Sequence, residues 1–257
     1  MIQGTGSGVG KSLLTAAFCR YFYKAGYKVA PFKAQNMALN SFVTERGEEM
    51  GRAQAYQAEA CGLKPEVIMN PIMLKPSGNN NSQVIVLGKP EGSRNAKDFY
   101  ARHIRHKEIV TQSLDELRNK YELVIIEGAG SPAEINLREW DLVNMFIAEK
   151  AEAPVLIVGD IDKGGVFAWF KGTYDLLSNS EQNRVTGFII NKFRGDLDLL
   201  TPGNEQFEKM VGKPILGVVP YSRDLVVDEE DSMPQRFYSA EQNVEGILNI
   251  AVIELPR

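Results

Sequence analysis

The chain has 257 residues, 44% of them hydrophobic, and a formal net charge of −4. That is enough apolar material for a buried sheet covered by helices, in one large α/β domain or two small ones. The acidic balance argues against nucleic acid or an anionic membrane surface as the main partner, and no apolar run reaches membrane-spanning length.

In chain order, a short first strand (Met1–Gln3) runs into a glycine-rich loop. Leu14, Phe18 and Phe22 then recur at helical spacing, and Tyr27–Phe32 reads as a strand. Cys19 and Cys61 fall in helical segments, where they read as small buried apolar residues; neither a disulfide framework nor a zinc site is expected. Asn79–Asn81 and Gly88–Asn95 read as loops around a strand-like Val84–Leu87. His103 and His106, among Arg102, Arg105 and Lys107, read as a solvated face, ahead of a helix marked by Val110, Leu114 and Leu117. Four further apolar runs follow: Leu123–Ile126, Pro154–Val158, Gly187–Ile190 and Ile215–Val219. A helix after Gly165 carries Phe167, Phe170 and Tyr174 on one side. Nearly continuous apolar strands alternating with helices predict an α/β fold, a mostly parallel sheet with helices on both faces.

The expected division is a first domain over 1–227, a polar acidic linker over 228–246, and over 247–257 the opening strand of another domain. No signal peptide precedes the loop, and a reduced cytoplasmic compartment is expected.

The loop reads Gly4-Thr5-Gly6-Ser7-Gly8-Val9-Gly10-Lys11-Ser12. Its glycines let successive backbone N–H groups turn toward one phosphate, and a helix N-terminus adds a favourable dipole. Lys11 supplies a cation, and Ser12 a hydroxyl for Mg²⁺. The spacing is one residue longer than the common G-x4-G-K-S/T pattern. Such a loop predicts ATP with Mg²⁺ and phosphoryl-transfer chemistry.

A metal on a nucleotide needs a carboxylate nearby. Glu127 closes a buried strand next to Gly128-Ala129-Gly130, at the sheet edge where ligands bind in such folds. Asp160 and Asp162 repeat the arrangement one strand later, but Asp before Gly-Gly also serves as a turn residue or cap. Asp141 reads equally as a functional carboxylate and as the N-cap of a helix carrying Leu142, Met145 and Phe146. Lys33 ends the second strand, where a cation can hold a carboxylate or a transferring phosphoryl group. Asn191 either reads an adenine edge or closes its strand into a turn.

The strings PFKAQNMALNS, GRAQAYQAEA, NPIMLKP, EGAGSPAEINLREWDLVNM, DIDKGGVFAWF and NKFRGD together resemble the cobyric acid synthase family, over residues 4 to about 230. The resemblance implies a P-loop NTPase fold of the dethiobiotin synthetase-like type, which shares the longer loop spacing. It implies an ATP-dependent amide ligase acting on the b, d, e and g carboxylates of adenosylcobyrinic acid a,c-diamide. Ammonia would come from glutamine, hydrolysed in a C-terminal class I amidotransferase domain of which only the first strand is expected here.

By the same resemblance, Lys11 and Lys33 would hold the phosphates and the carboxylate, with Ser12 and Glu127 on the metal. Asp141 would lie on the corrinoid side, Asn191 at adenine, and Glu49 is a further candidate metal ligand. Arg52, Lys75 and Arg138 are candidate clamps for substrate carboxylates, or solvated cations. The oligomeric state, a homodimer included, stays open. Two rivals remain: a related a,c-diamide synthase, against which PFKAQNMALNS argues, and a partitioning-type ATPase switch, which carries a signature lysine where this chain has Gly6.

Overall fold

The computed structural model describes residues 1–77 and 81–222; the expected linker and terminal strand, and part of the loop expected at Asn79–Asn81, lie outside them. The chain opens with β1 (Ile2–Gly4), α1 (Lys11–Lys24) and β2 (Val29–Phe32). A β-rich stretch follows: β3 (Gln35–Met37), β4 (Ser41–Val43), β5 (Glu49–Gly51), α2 (Arg52–Ala60), β6 (Ile72–Pro76), β7 (Asn81–Val86) and β8 (Lys89–Asn95). The short α3 (Ala96–Tyr100) and long α4 (His103–Lys120) lead back to β9 (Leu123–Ile126). Then come α5 (Met145–Lys150), β10 (Val155–Asp160), α6 (Val166–Asp175), α7 (Asn179–Arg184), β11 (Val185–Phe193), α8 (Leu197–Val211) and β12 (Ile215–Pro220).

The central sheet is parallel. One piece runs β1-β10-β11-β12 and the other pairs β2 with β9; a parallel bridge between Ile2 and Glu127 joins them in the order β2-β9-β1-β10-β11-β12. Alternation along the strands distributes the helices. Ala30 and Phe32 pack with Val110, Leu114 and Leu117 of α4, whereas Val29 packs with Cys19 and Phe22 of α1. Further along, Phe170, Phe188 and Phe207 form an aromatic core with ring centroids 4.9 and 5.0 Å from Phe188. Cys19 and Cys61 are free and buried in that α1-side cluster, as expected of small apolar residues. Among the described residues, no helix is long and apolar enough to cross a membrane.

The β-rich stretch was not legible as such. A second sheet, β3-β6-β7-β8, is parallel only between β3 and β6, and β4–β5 forms a separate antiparallel hairpin. Gly88–Asn95, expected as a loop, is mostly β8. Its mainly exposed side chains carry no apolar signal, so backbone pairing with β7 defines it. His106 is a second correction. Placed on a solvated face by its neighbours, it is buried on the inner side of α4 and lies 4.5 Å, centroid to centroid, from Phe99.

Burial pushes the His106 pKa from 6.5 down to about 4, with Glu91 opposing and Arg105, Arg102 and His103 adding to the depression. The unfolded chain therefore binds a proton in this interval that the folded chain refuses, and stability falls as pH drops from 6.5 toward 4. A His106→Phe variant is expected to flatten that part of the stability–pH curve, measured by urea unfolding at stepped pH.

Candidate functional site at the carboxyl edge of the sheet

The glycine-rich loop bridges β1 and α1 on the sheet edge where β2, β9, β10 and β11 also end. Thr5 N–H donates to the Val158 carbonyl, fixing the loop's entry, and Val9 is buried beneath it. Gly10 has φ 99°, and a Cβ there would stand 2.1 Å from Asn191 Nδ2, so both conformation and space require glycine. Lys11 Nζ donates to the carbonyls of Gly6 (2.7 Å) and Gly130 (3.1 Å), folding back over the loop. Helix α1 has no acidic residue in its first turn and no side-chain cap, which leaves its positive end available to an anion.

Beside the loop lies a buried cluster. Glu127 Oε1 accepts from Ser12 Oγ (2.7 Å) and from Lys33 Nζ (2.9 Å), and Oε2 accepts from Gln57 Nε2 (2.6 Å). Burial by itself would raise the Glu127 pKa, but the charge and hydrogen bond of Lys33, with those of Gln57 and Ser12, hold it below the usual carboxylate range. Ser12 and Glu127 present two hard oxygen donors at hydrogen-bond distance. Among the described residues, no group of three or more His, Cys, Asp or Glu side chains is placed to hold a metal. This donor set fits a Mg²⁺ ion that takes its other ligands from nucleotide phosphates and water.

Two hollows flank the loop. The larger, about 1140 Å³, is rimmed by Ser7 of the loop and by Gly130, and walled by Phe99, Tyr100, Trp140, Arg94, Arg138 and Asp141. The smaller, about 620 Å³, lies along α1 and is bordered by Asn191, Lys192 and Tyr221.

The structure brings Lys11, Ser12, Lys33 and Glu127 together. Asn191 lines the smaller hollow, while its amide nitrogen donates to the Val9 carbonyl (2.8 Å) and buttresses the loop. Asp141 holds the turn leading into α5: Oδ1 accepts from the Val143 and Asn144 N–H groups and Oδ2 from Phe146 N–H, each at 2.9 Å. The helix itself starts later than expected, with Asn144 as its N-cap and Leu142 outside it. The Glu49 carboxylate pairs with Lys75 and bonds Ser41, and these interactions outweigh its burial to lower its pKa. Lys75 is thereby engaged as well. Asp160 accepts from Lys192 Nζ (2.8 Å) and from Asp162 N–H, and Asp162 meets Arg194, so both carboxylates serve turn and ion pairs.

Three participants were not singled out beforehand. Gln57 touches Glu127, Arg94 walls the large hollow, and Lys192, at φ 60°, donates to the Gly8 carbonyl (2.8 Å). Gln54 and Gln57, three apart in an alanine-rich helix and both fully buried, carried the one sequence signal that could have found Gln57.

Residues 1–234 match the CobQ/CobB/MinD/ParA nucleotide binding domain family. The whole chain is 56% identical to half of a cobyric acid synthase from Thermoanaerobacter sp. (strain X514). It is 55% identical to half of a second one, from Sorangium cellulosum (strain So ce56). It thus spans about half the length of these curated relatives. Among solved structures, the signal recognition particle receptor FtsY from Elizabethkingia anophelis is similar over 87% of this chain and 58% of its own, with TM-score 0.46 and 16% identity.

The buried pair at the site yields a test that needs no ligand. Removing one partner of such a pair strands the other charge, at a cost of about 3–5 kcal/mol. Lys33→Met is expected to destabilise by about that much at neutral pH, and Lys33→Met/Glu127→Gln to recover more than half of it, by chemical denaturation. Because the Glu127 pKa is depressed in the folded state, its contribution is complete above 4.5 and fades as pH falls through the folded value.

Proposed function

This chain belongs to the CobQ/CobB/MinD/ParA nucleotide-binding family, and we propose that it uses ATP and Mg²⁺ to amidate carboxylates of a corrinoid, as a cobyric acid synthase. The observation that carries this reading is the shared rim. Ser7 and Gly130 border the large hollow, while Lys11, anchored on the Gly130 carbonyl, belongs to the phosphate loop. A substrate seated in the hollow would present its carboxylate to a nucleotide's terminal phosphate. The volume exceeds that of an ordinary small-ligand pocket, and the aromatic wall suits a broad flat ring system. Arg94 and Arg138 supply cations for its peripheral carboxylates.

The chemistry follows from the weakness of a carboxylate as an acyl donor. An oxygen of the substrate carboxylate attacks the γ-phosphorus of ATP and ADP leaves, giving an acyl phosphate. Ammonia then adds to the acyl carbon, phosphate departs with the C–O bond, and the nitrogen loses a proton to give the amide. Lys11 and the loop amides are assigned to hold and neutralise the phosphates, and Lys33, held on Glu127, is assigned to the attacking carboxylate and the γ-phosphate. When bound at Ser12 and Glu127, Mg²⁺ supplies charge neutralisation across the phosphates. Asn191, bordering the smaller hollow, is assigned to the adenine side. Asp141 supports the acceptor side by fixing the backbone of 143–146 rather than by proton transfer. The b, d, e and g positions are the assigned acceptors, and glutamine hydrolysis is assigned to the other half of the longer relatives.

The test is incubation with ATP, Mg²⁺, ammonia and the a,c-diamide, followed by mass spectrometry of the corrinoid. Stepwise gains of one amide are expected, with ADP formed in step with them. Lys11→Ala is expected to lower the rate by at least about 10³-fold while leaving the fold intact, since Lys11 is the cation the phosphate loop itself carries. Corrinoid-independent ATP turnover without amidation would remove the proposal.

A further inference from the structure

Gln57 is fully buried, yet its amide does not face apolar neighbours alone. Its Nε2 donates to Glu127 Oε2 at 2.6 Å and to the Ser12 carbonyl at 3.2 Å, which employs both amide hydrogens. Its Oε1 is buried without a hydrogen-bond partner among the described residues. That asymmetry is informative. Turning the amide over would set its carbonyl against the Glu127 carboxylate, so the carboxylate dictates the orientation although an acceptor is left stranded. A residue needed only to fill space in α2 would not call for this; Ala53, Ala55 and Ala58 of the same helix are buried without any polar group.

We propose that Gln57 is the positioning residue for the cation side of the nucleotide site: it fixes the plane of the Glu127 carboxylate, its own amide being held in place by the Ser12 carbonyl. The inference rests on the nucleotide reading above and adds to it a residue outside the loop and the strand ends. Glu127 carries Ser12 and Lys33 on one oxygen and Gln57 on the other. If the Ser12 hydroxyl is given over to a cation, Lys33 and Gln57 still hold one oxygen each, so the carboxylate cannot swing about its terminal bond. Without Gln57, Oε2 loses the sole protein donor found for it among the described residues. Positioning partners of this kind are worth about 10–100-fold in metal affinity in other proteins.

The experiment measures ATP binding by calorimetry in EDTA and across a Mg²⁺ titration. It compares wild type, Gln57→Leu, Gln57→Met, Glu127→Gln and the double variant Gln57→Leu/Glu127→Gln, each checked for folding by circular dichroism. Gln57→Leu and Gln57→Met are expected to bind ATP in EDTA within about twofold of wild type and to need about tenfold more Mg²⁺ for half-saturation. The Mn²⁺ electron paramagnetic resonance spectrum of their nucleotide complexes should broaden as the ligand geometry loosens. In the Glu127→Gln background, Gln57→Leu should add little, because its target is already gone. Three results overturn the inference: an unchanged Mg²⁺ requirement, equal losses with and without Mg²⁺, or a full additional loss in the Glu127→Gln background. Wild-type protein without Mg²⁺-dependent nucleotide binding would instead overturn the nucleotide reading itself.

Discussion

A buried ion pair between Lys33 and Glu127 organises the molecule's working edge. Its placement follows from strand register: in the β2–β9 ladder Phe32 faces Ile126, so the next residue on each strand stands beside its counterpart. Parallel pairing puts both at the carboxyl ends, where a backbone running out of sheet leaves room for ligand. Both side chains are almost wholly shielded from water. The pair persists because each remaining demand of the carboxylate is met, by Ser12 and by Gln57. Loop, sheet and α2 thereby converge on one carboxylate.

The same lysine joins the nucleotide side to the β-rich module. The Lys33 carbonyl accepts from Asn70 Nδ2 (3.0 Å), and Asn70 Oδ1 in turn accepts from Gly51 N–H (2.9 Å) at the foot of α2. Lys33 N–H donates to Met69, and two residues later β3 begins, with Gln35 on the wall of the large hollow. Backbone and amide groups that would otherwise be buried without partners are thus satisfied between the two sheets. The wall of the large hollow and the edge carrying Glu127 are thus tied through one hydrogen-bonded junction at Lys33 and Asn70.

Much of this was legible in residue order. The parallel strands are apolar on both faces, so their runs stand out, and Lys33, Glu127 and Asn191 are polar residues breaking such runs at their ends. The β-rich module was not legible, because β8 is an exposed edge strand whose side chains carry no alternation and whose identity lies in its partner. His106 misled because four charged or polar neighbours surround it in sequence, while the helix turns it alone inward toward Phe99. Asp141 was ambiguous because capping and ligand contact ask for the same residue type, and in the fold it bonds three N–H groups while standing on the wall of the large hollow.

The pairing of β2 with β9 has a consequence for how such a chain varies over evolutionary time. Val29 meets Leu123 across the sheet, with the entire β3–α4 stretch enclosed between them. The entropy of closing such a loop grows only logarithmically, so even doubling its length would cost about 0.6 kcal/mol. Exposed turns between those two points can therefore be lengthened at little entropic cost, provided that Gln57, Asn70 and the face of α4 packed on Phe32 keep their places. Length variation in that stretch is expected to concentrate in its exposed turns, away from the residues that hold the pair.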